Sequence, residues 1–381
     1  MKISLKNREV LSWLAIVAFS IVGCWVTLRT RGQYCLPIFS GAGQDAWSGL
    51  DPYLLQEGRP DRFKYGPIWA VLLGFLNFLP PWPTWSTPAF WYCLNALAFW
   101  RGCWNWKKSL TESSPHWTLN ELVVLAPLAL TNGFYGQING LLLWLISSCA
   151  SSGKRNGMAL SLAAWMKIFP IYLVALQPHR RVLRGVLVGI AAGVFVPFLV
   201  WSVIGAPAAS LHPTLSVFES WAQVLVADAE HPHHKLGLLA LLVQWRFSLE
   251  LAQGIQKVSA LFFFGGLWLW RKPRSEAAAI TGFLFFSHMT EPPTLALLAP
   301  AVITLLSHSR HYPRLIALGL MALIVVLPSD LTPQALKTFL GGQYAIKTAA
   351  VLFCLVMLLK ILASSQVEST RPDKPPLAPQ L

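Results

Sequence analysis

The sequence predicts an all-α polytopic membrane protein, and three observations carry that expectation. Of 381 residues, 55% are hydrophobic and only 12% are charged, where soluble domains carry about a quarter charged residues. Four stretches hold no charge at all: Val10 to Leu28, Gly66 to Trp100, Leu122 to Gly153 and Gly185 to Leu211. Eighteen tryptophans fit the aromatic belts that mark helix ends at a membrane interface.

The first apolar run follows Lys2, Lys6 and Arg8 and lacks a small-residue cleavage site. It reads as a retained signal anchor with a cytoplasmic N-terminus. A crossing needs about 20 apolar residues, so the second and third uncharged runs are long enough for two spans each. Pro80-Pro81-Trp82-Pro83 breaks one, and the stretch from Thr131 to Gln137 breaks the other. Further spans are expected near Ser259 to Trp270, Ala277 to Met289, Thr294 to Ser307, Leu315 to Pro328 and Thr348 to Leu359. The total is roughly 10–13 transmembrane helices. They form one domain over residues 1–363, followed by a polar, proline-rich tail over 364–381 that reads as disordered.

Two hydrophilic excursions are long enough to do chemistry, Arg29 to Tyr65 and Leu211 to Lys235. The first is expected outside the membrane, with an amphipathic interfacial helix over Ile38 to Leu50. Asp51-Pro52 then reads as the start of a second short helix, Pro52 to Gln56, with Asp51 as its cap.

The net charge of +14 does not point to nucleic acid. Its basic residues sit in short loops such as His179-Arg180-Arg181 and Arg271-Lys272-Pro273-Arg274, where they orient spans and touch anionic lipid. Six scattered cysteines without a CxxC indicate neither a disulfide framework nor a metal site. Glu230-His231-Pro232-His233-His234 lacks any zinc spacing. No cofactor is expected, and a divalent metal stays open.

Several segments, in order, resemble a known family. Gly49-Leu50-Asp51-Pro52-Tyr53 is followed by Phe63-Lys64-Tyr65-Gly66-Pro67, then Gly136-Gln137-Ile138-Asn139, Trp165-Met166-Lys167-Ile168-Phe169-Pro170 and Thr290-Glu291-Pro292. The pattern is similar to glycosyltransferase family 87, the DUF2029 group of polyprenyl-phosphate-mannose-dependent mannosyltransferase-like enzymes. The resemblance implies a GT-C-type helical bundle. It also implies transfer of a hexose, commonly mannose, from a polyprenyl-phosphate sugar to a glycan or glycolipid acceptor. The setting it implies is the extracytoplasmic face of a bacterial inner membrane. Two departures stand out. The family usually has an aspartate in the first loop, and Cys35 lies near that place. Where the family has an Asn-Gln-Ser region, this chain reads His231-Pro232-His233-His234-Lys235.

Glycosyl transfer from a lipid phosphate needs a carboxylate to take the acceptor's proton and cations or oriented donors for the leaving phosphate. The candidate bases are Asp45, Asp51 and Glu291. Asp45 shares its helix with Trp47, which could shape a sugar site, but a solvated surface carboxylate is as good an account. For Asp51 the helix cap competes, and for Glu291 an interfacial loop position. The candidate donor-site residues are Lys64, Tyr65, Gln137, Asn139, Lys167, His234 and Lys235. Lys167 interrupts an uncharged span, as a snorkelling lysine also would. A transporter or lipid flippase is the rival class, but no inverted repeat is visible. A catalytically inactive scaffold of the same fold also stays open, because of Cys35.

Overall fold

A computed structural model of the chain describes residues 5–30, 33–54, 61–79, 85–111, 116–148, 154–176, 179–203, 211–229, 236–270, 275–287, 290–308, 313–327, 332–340 and 342–369. The described residues form helices and no strand, with a single isolated antiparallel bridge between Leu236 and Thr290. The protein is an all-α membrane protein. Helix α1 (Leu5–Arg29) is followed by the short α2 (Leu36–Trp47). Next come α3 (Pro67–Leu73), which tightens into a 3-10 turn at Gly74–Phe78, and α4 (Ser86–Leu110). Helices α5 (Leu119–Phe134), α6 (Asn139–Ser147), α7 (Lys154–Met166) and α8 (Pro170–Leu176) are two pairs separated by short breaks. Then come α9 (Arg180–Val203), α10 (Leu211–Ala229), α11 (Leu238–Gln244), α12 (Leu249–Trp270) and α13 (Ser275–Phe286). A 3-10 helix over Pro292–Leu298 leads into α14 (Ala299–His308). The chain continues with α15 (Pro313–Met321), α16 (Gln334–Phe339) and α17 (Gly342–Ser369).

Among the described residues, three helical segments are long and apolar enough to cross a membrane unbroken: Val10–Arg29, Arg180–Val203 and Gly342–Ser364. Several of the other expected spans fall on shorter apolar helices, Pro67–Phe78, Leu119–Phe134, Ser275–Phe286, Pro292–His308 and Pro313–Val326, and the one near Ser259 to Trp270 on the longer α12. The core runs through α13, the Pro292–Leu298 helix and α14, where Ile280, Leu284, Leu297, Val302 and Ile303 are fully enclosed. Helices α1, α9 and α12 flank it, burying residues such as Ile16, Val186 and Leu267 while presenting bare apolar faces, as at Val17, Phe195 and Phe262. With no water to solvate them, such faces suit the hydrocarbon of a bilayer.

The break between α5 and α6 falls where expected, at Tyr135 to Ile138. Gly136 takes φ +64° there, and a Cβ at that position would lie 3.0 Å from the Gln33 backbone. Glycine therefore suits it on both counts. Gln33 itself holds φ 67°. Its N–H donates to the Phe134 carbonyl, its Nε2 donates to the Pro88 carbonyl at 2.6 Å, and Cys35 N–H donates to the Tyr135 carbonyl at 3.0 Å. The first loop is thereby tied to the α5–α6 break.

Three expectations for that loop are corrected. The interfacial helix is α2, but it is not a surface helix exposing Asp45: it packs on α3 and buries Asp45 to 4% exposure. The reason is close approach at two glycines. A Cβ on Gly43 would fall 2.7 Å from Gly74 N, and one on Gly74 would fall 2.1 Å from the Trp47 ring, so glycine at 43 lets α2 reach the facing backbone and glycine at 74 makes room for Trp47. Trp47 lies on Gly74, donates its Nε1–H to the Val71 carbonyl at 2.9 Å, and so anchors the helix rather than shaping a sugar site. Asp51 does not start a helix over the described part of Pro52 to Gln56. Its Oδ1 accepts the Tyr53 N–H at 2.9 Å, closing a turn at Pro52 to Leu54; an aspartate two residues back competes in this way with helix formation. At the other end, α17 continues to Ser369, past the boundary drawn at 363, and residues 370–381 lie outside the described set.

Candidate functional site

The first loop, the two helix breaks and the strap Thr290–Pro293 converge on a cavity of about 560 Å³. That volume lies within the range of small-molecule sites. Its polar side comes from sequence-distant segments: Asp61, Arg62, Lys64 and Tyr65 ahead of α3, Gln137 at the α5–α6 break, Lys167 at the α7–α8 break, and Glu291 on the strap. Its apolar side is Ile168 and Phe169, Leu225 of α10, Phe264 of α12, and Phe283 and Phe286 of α13. Phe169 stacks on Phe283 at 3.9 Å between centroids.

The α7–α8 break presents Lys167. Pro170 begins α8 and cannot donate into the preceding turn, so α7 stops at Met166. The Trp165 carbonyl turns outward and accepts the Gly66 N–H at 2.6 Å. Lys167 donates from Nζ to Thr294 Oγ1 at 3.3 Å, and the Glu291 N–H donates to the same oxygen at 3.4 Å.

Glu291 sits on a strap pinned from several directions. Leu236 N–H donates to the Thr290 carbonyl at 2.6 Å, and Thr294 N–H donates to the Glu291 carbonyl at 2.8 Å. Asn139 Nδ2 donates to the Pro293 carbonyl at 3.1 Å. Glu291 and Thr294 also close a capping box, the Glu291 side chain accepting from the Thr294 backbone N–H.

The loop wall is equally determined. Tyr53 O–H donates to the Tyr65 carbonyl at 2.7 Å, and Phe39, Phe63 and Tyr65 meet at ring separations of 5.4 to 6.5 Å. Tyr65 O–H donates to Gln137 Oε1 at 3.1 Å, which turns the amide so that Nε2 donates to Cys35 Sγ, also at 3.1 Å. Burial, with Glu291 and Asp61 nearby, pushes the Cys35 thiol up to about 12, against smaller opposing effects of Lys64 and the Gln137 hydrogen bond. Burial, then the neighbouring Cys35, Glu291 and Asp61, likewise pushes the Tyr65 phenol well above its ordinary value. Both groups are neutral at physiological pH. Lys64 pairs with Asp61 at 2.7 Å on the rim, where both are partly exposed.

Of the candidates from sequence, the cavity gathers Glu291, Lys64, Tyr65, Gln137 and Lys167. It leaves out Asp45, enclosed between α2 and its neighbours, and Asp51, occupied by its turn. Asn139 is wholly buried and holds the strap rather than facing the cavity. His234 and Lys235 lie outside the described residues, as does the run from Glu230. Among the described residues, no three His, Cys, Asp or Glu cluster as metal ligands would. Sequence reasoning missed the cavity positions of Asp61 and Arg62. The signal was their place just ahead of Lys64-Tyr65, in the charged stretch leading into α3. It also missed Trp221 of α10, whose Nε1–H donates to the Lys64 carbonyl at 3.2 Å; an amphipathic helix in an excursion gives no hint of where its face docks.

Three cations and two carboxylates around one cavity, facing an aromatic wall, can hold an anionic group beside a general base. No curated protein matches the sequence significantly. The sequence model of glycosyltransferase family 87 matches residues 63–292, well over half of the chain, and that match spans Lys64, Tyr65, Gln137, Lys167 and Glu291. The chain belongs to glycosyltransferase family 87.

Proposed function

We infer that this membrane glycosyltransferase transfers a hexose, mannose in the first instance, from a polyprenyl-phosphate sugar to a hydroxyl of an extracytoplasmic glycan or glycolipid. The carrying observation is the two-sided cavity, with Glu291, Lys64, Arg62 and Lys167 on one side and an aromatic wall on the other. A lipid-phosphate sugar has the matching halves. The five charged wall residues leave one positive charge in excess, which suits the single charge of a sugar phosphodiester better than the two of a nucleotide diphosphate.

In this reading the acceptor hydroxyl attacks the anomeric carbon as Glu291 takes its proton. The bond from that carbon to the phosphate oxygen breaks, and its electron pair leaves with the lipid phosphate. Lys167 and the rim cations stabilise the charge that develops there. Glu291 is favoured over Asp45 and Asp51 because it lines the cavity and they do not. The lipid phosphate is itself a good leaving group, so the reading calls for no resident cofactor.

The test is turnover by the full-length protein in lipid nanodiscs, offered a panel of polyprenyl-phosphate sugars and nucleotide sugars with glycan and glycolipid acceptors. Release of polyprenyl phosphate from the mannose donor is expected. Transfer from nucleotide sugars alone overturns the donor assignment. Orientation is tested separately by Arg62→Cys in a background lacking native cysteines. That thiol should react with a membrane-impermeant reagent in intact cells, and labelling only after permeabilisation would place the active face in the cytoplasm.

A further inference from the structure

One cation and one carboxylate of the cavity come from segments 124 residues apart, Lys167 at a helix break and Glu291 on the strap. One side chain joins them. Thr294 is 2% exposed and does not line the cavity, yet its hydroxyl oxygen accepts from both Lys167 Nζ and the Glu291 backbone N–H. Oγ1 has two lone pairs, and those two donors use both. The residue is itself held at the first turn of the Pro292–Leu298 helix, where its N–H donates to the Glu291 carbonyl at 2.8 Å. A hydroxyl in that place fixes the distance from ammonium to strap without touching substrate.

We propose that Thr294 is a positioning residue that sets the donor-phosphate cation and the general base in register through one shared hydroxyl. The inference rests on the reading of Lys167 as the phosphate contact and Glu291 as the base. In the ground state the hydroxyl holds Lys167 in a single rotamer, so the ammonium does not have to be ordered when donor binds. Through the N–H contact it also fixes the backbone from which the Glu291 carboxylate projects. Loss of the oxygen should therefore be felt in donor binding and in the chemical step together. Loss of Lys167 alone should act mainly on donor binding, and loss of the Glu291 charge mainly on turnover.

Thr294→Val keeps the shape and removes the acceptor, and Thr294→Ser keeps the acceptor. Both are compared with wild type as full-length protein in nanodiscs, measuring kcat and donor KM with polyprenyl-phosphate mannose. Binding of farnesyl phosphate is measured separately, with no turnover required. For Thr294→Val the expectation is a kcat lower by about 100-fold, the scale of a small misplacement of a catalytic group, together with a raised donor KM. Farnesyl phosphate binding should weaken in parallel, and Thr294→Ser should restore all three. In a Glu291→Gln background, adding Thr294→Val should lower kcat no further while still raising donor KM. An unchanged kcat or an unchanged KM in Thr294→Val overturns the shared-hydroxyl role, and so does a serine variant as impaired as the valine one. Wild-type protein inactive with every lipid-phosphate sugar defeats the functional reading instead. The farnesyl phosphate comparison between valine and serine then still decides whether Thr294 positions Lys167.

Discussion

Among the described residues, two groups of charges set away from bulk water are built in opposite ways. Where α4 ends and α5 begins, Lys107 and Glu121 are almost wholly buried and satisfy one another. Lys107 Nζ donates to Glu121 Oε1 at 2.6 Å and also to Oε2. The remaining valences are filled as well. Glu121 Oε2 accepts the Thr118 N–H at 2.8 Å in a capping box, and Lys107 lies 5.3 Å from the centre of the Trp117 ring. Trp13, Trp100 and Trp104 close around Trp117. The cavity charges are spread instead over a loop, a helix break and a strap, and they line open space. Buried charge that is paired and capped stabilises one arrangement of the chain, and charge that lines a cavity is available to a ligand.

The comparison breaks most readily at Glu291. Glu291→Gln removes the base while keeping the shape, and transfer should fall by about 10²–10⁴-fold, the usual contribution of a general base. The melting temperature should stay near wild type, because Leu236 and Asn139 also hold the strap and the glutamine amide oxygen can still accept from the Thr294 N–H in the capping box. Lys107→Met should do the reverse. Breaking a buried pair from one side costs about 3–5 kcal/mol, so the variant should unfold at markedly lower temperature, while the fraction still folded turns over normally. Thermal unfolding and per-molecule kcat on both variants decide it, and a stable but inactive Lys107→Met would give that end of the bundle a role in catalysis.

A smaller effect is expected at Lys167. Lys167→Met should raise donor KM with kcat reduced less, since the amine contacts a group present in ground and transition states alike. Unchanged donor KM would return Lys167 to a packing role. A cation that merely snorkels gains nothing from a hydroxyl partner such as Thr294.

How far the sequence could reach follows from the range of each interaction. Many of the spans and the α5–α6 break were legible because uncharged runs and the Thr131 to Gln137 stretch act locally, whereas the break at Pro170 was not drawn. Thr118 and Glu121 have the spacing of a capping box, which the structure forms, but nothing local announced that Lys107 would complete it. Asp45 was misread for a similar reason. Its burial depends on Gly43 meeting Gly74, 31 residues away, and no periodicity within α2 encodes that meeting. Asp51 was misread because Asp-Pro starts helices and turns equally well, and the choice falls to the tyrosine after it. Within the site, the short motifs located Tyr65, Gln137 and Lys167, while the convergence of Asp61, Arg62 and Trp221 belongs to tertiary packing alone.

The smallest expected effect, and the sharpest contrast with Glu291, is at Cys35, which lines the same cavity where an aspartate would suit the family pattern. Its thiol is held neutral: burial outweighs Lys64 and the Gln137 hydrogen bond and pushes it up to about 12 from an ordinary 9.0. A group protonated that firmly is neither a base nor a ready nucleophile at pH 7. Cys35→Ser, which still offers Gln137 Nε2 an acceptor, should leave turnover little changed. Because the folded thiol holds its proton more tightly than the unfolded one, its contribution to stability is fully present below pH 9 and is lost as pH rises from there towards 12. The stability of wild type should therefore fall more steeply than that of Cys35→Ser across this alkaline window, and the two should coincide at pH 7. Alkylation of Cys35 in the folded protein at pH 8 should be slow and should accelerate on unfolding. Rapid labelling at neutral pH, or an inactive Cys35→Ser, would mean that the thiolate works in the cavity. Activity gained by Cys35→Asp over a silent wild type would mark the chain as a degenerate member of its family. In that variant Gln137 Nε2 would meet a carboxylate oxygen where it now meets sulfur, so the cavity already holds a donor for the residue that the substitution restores.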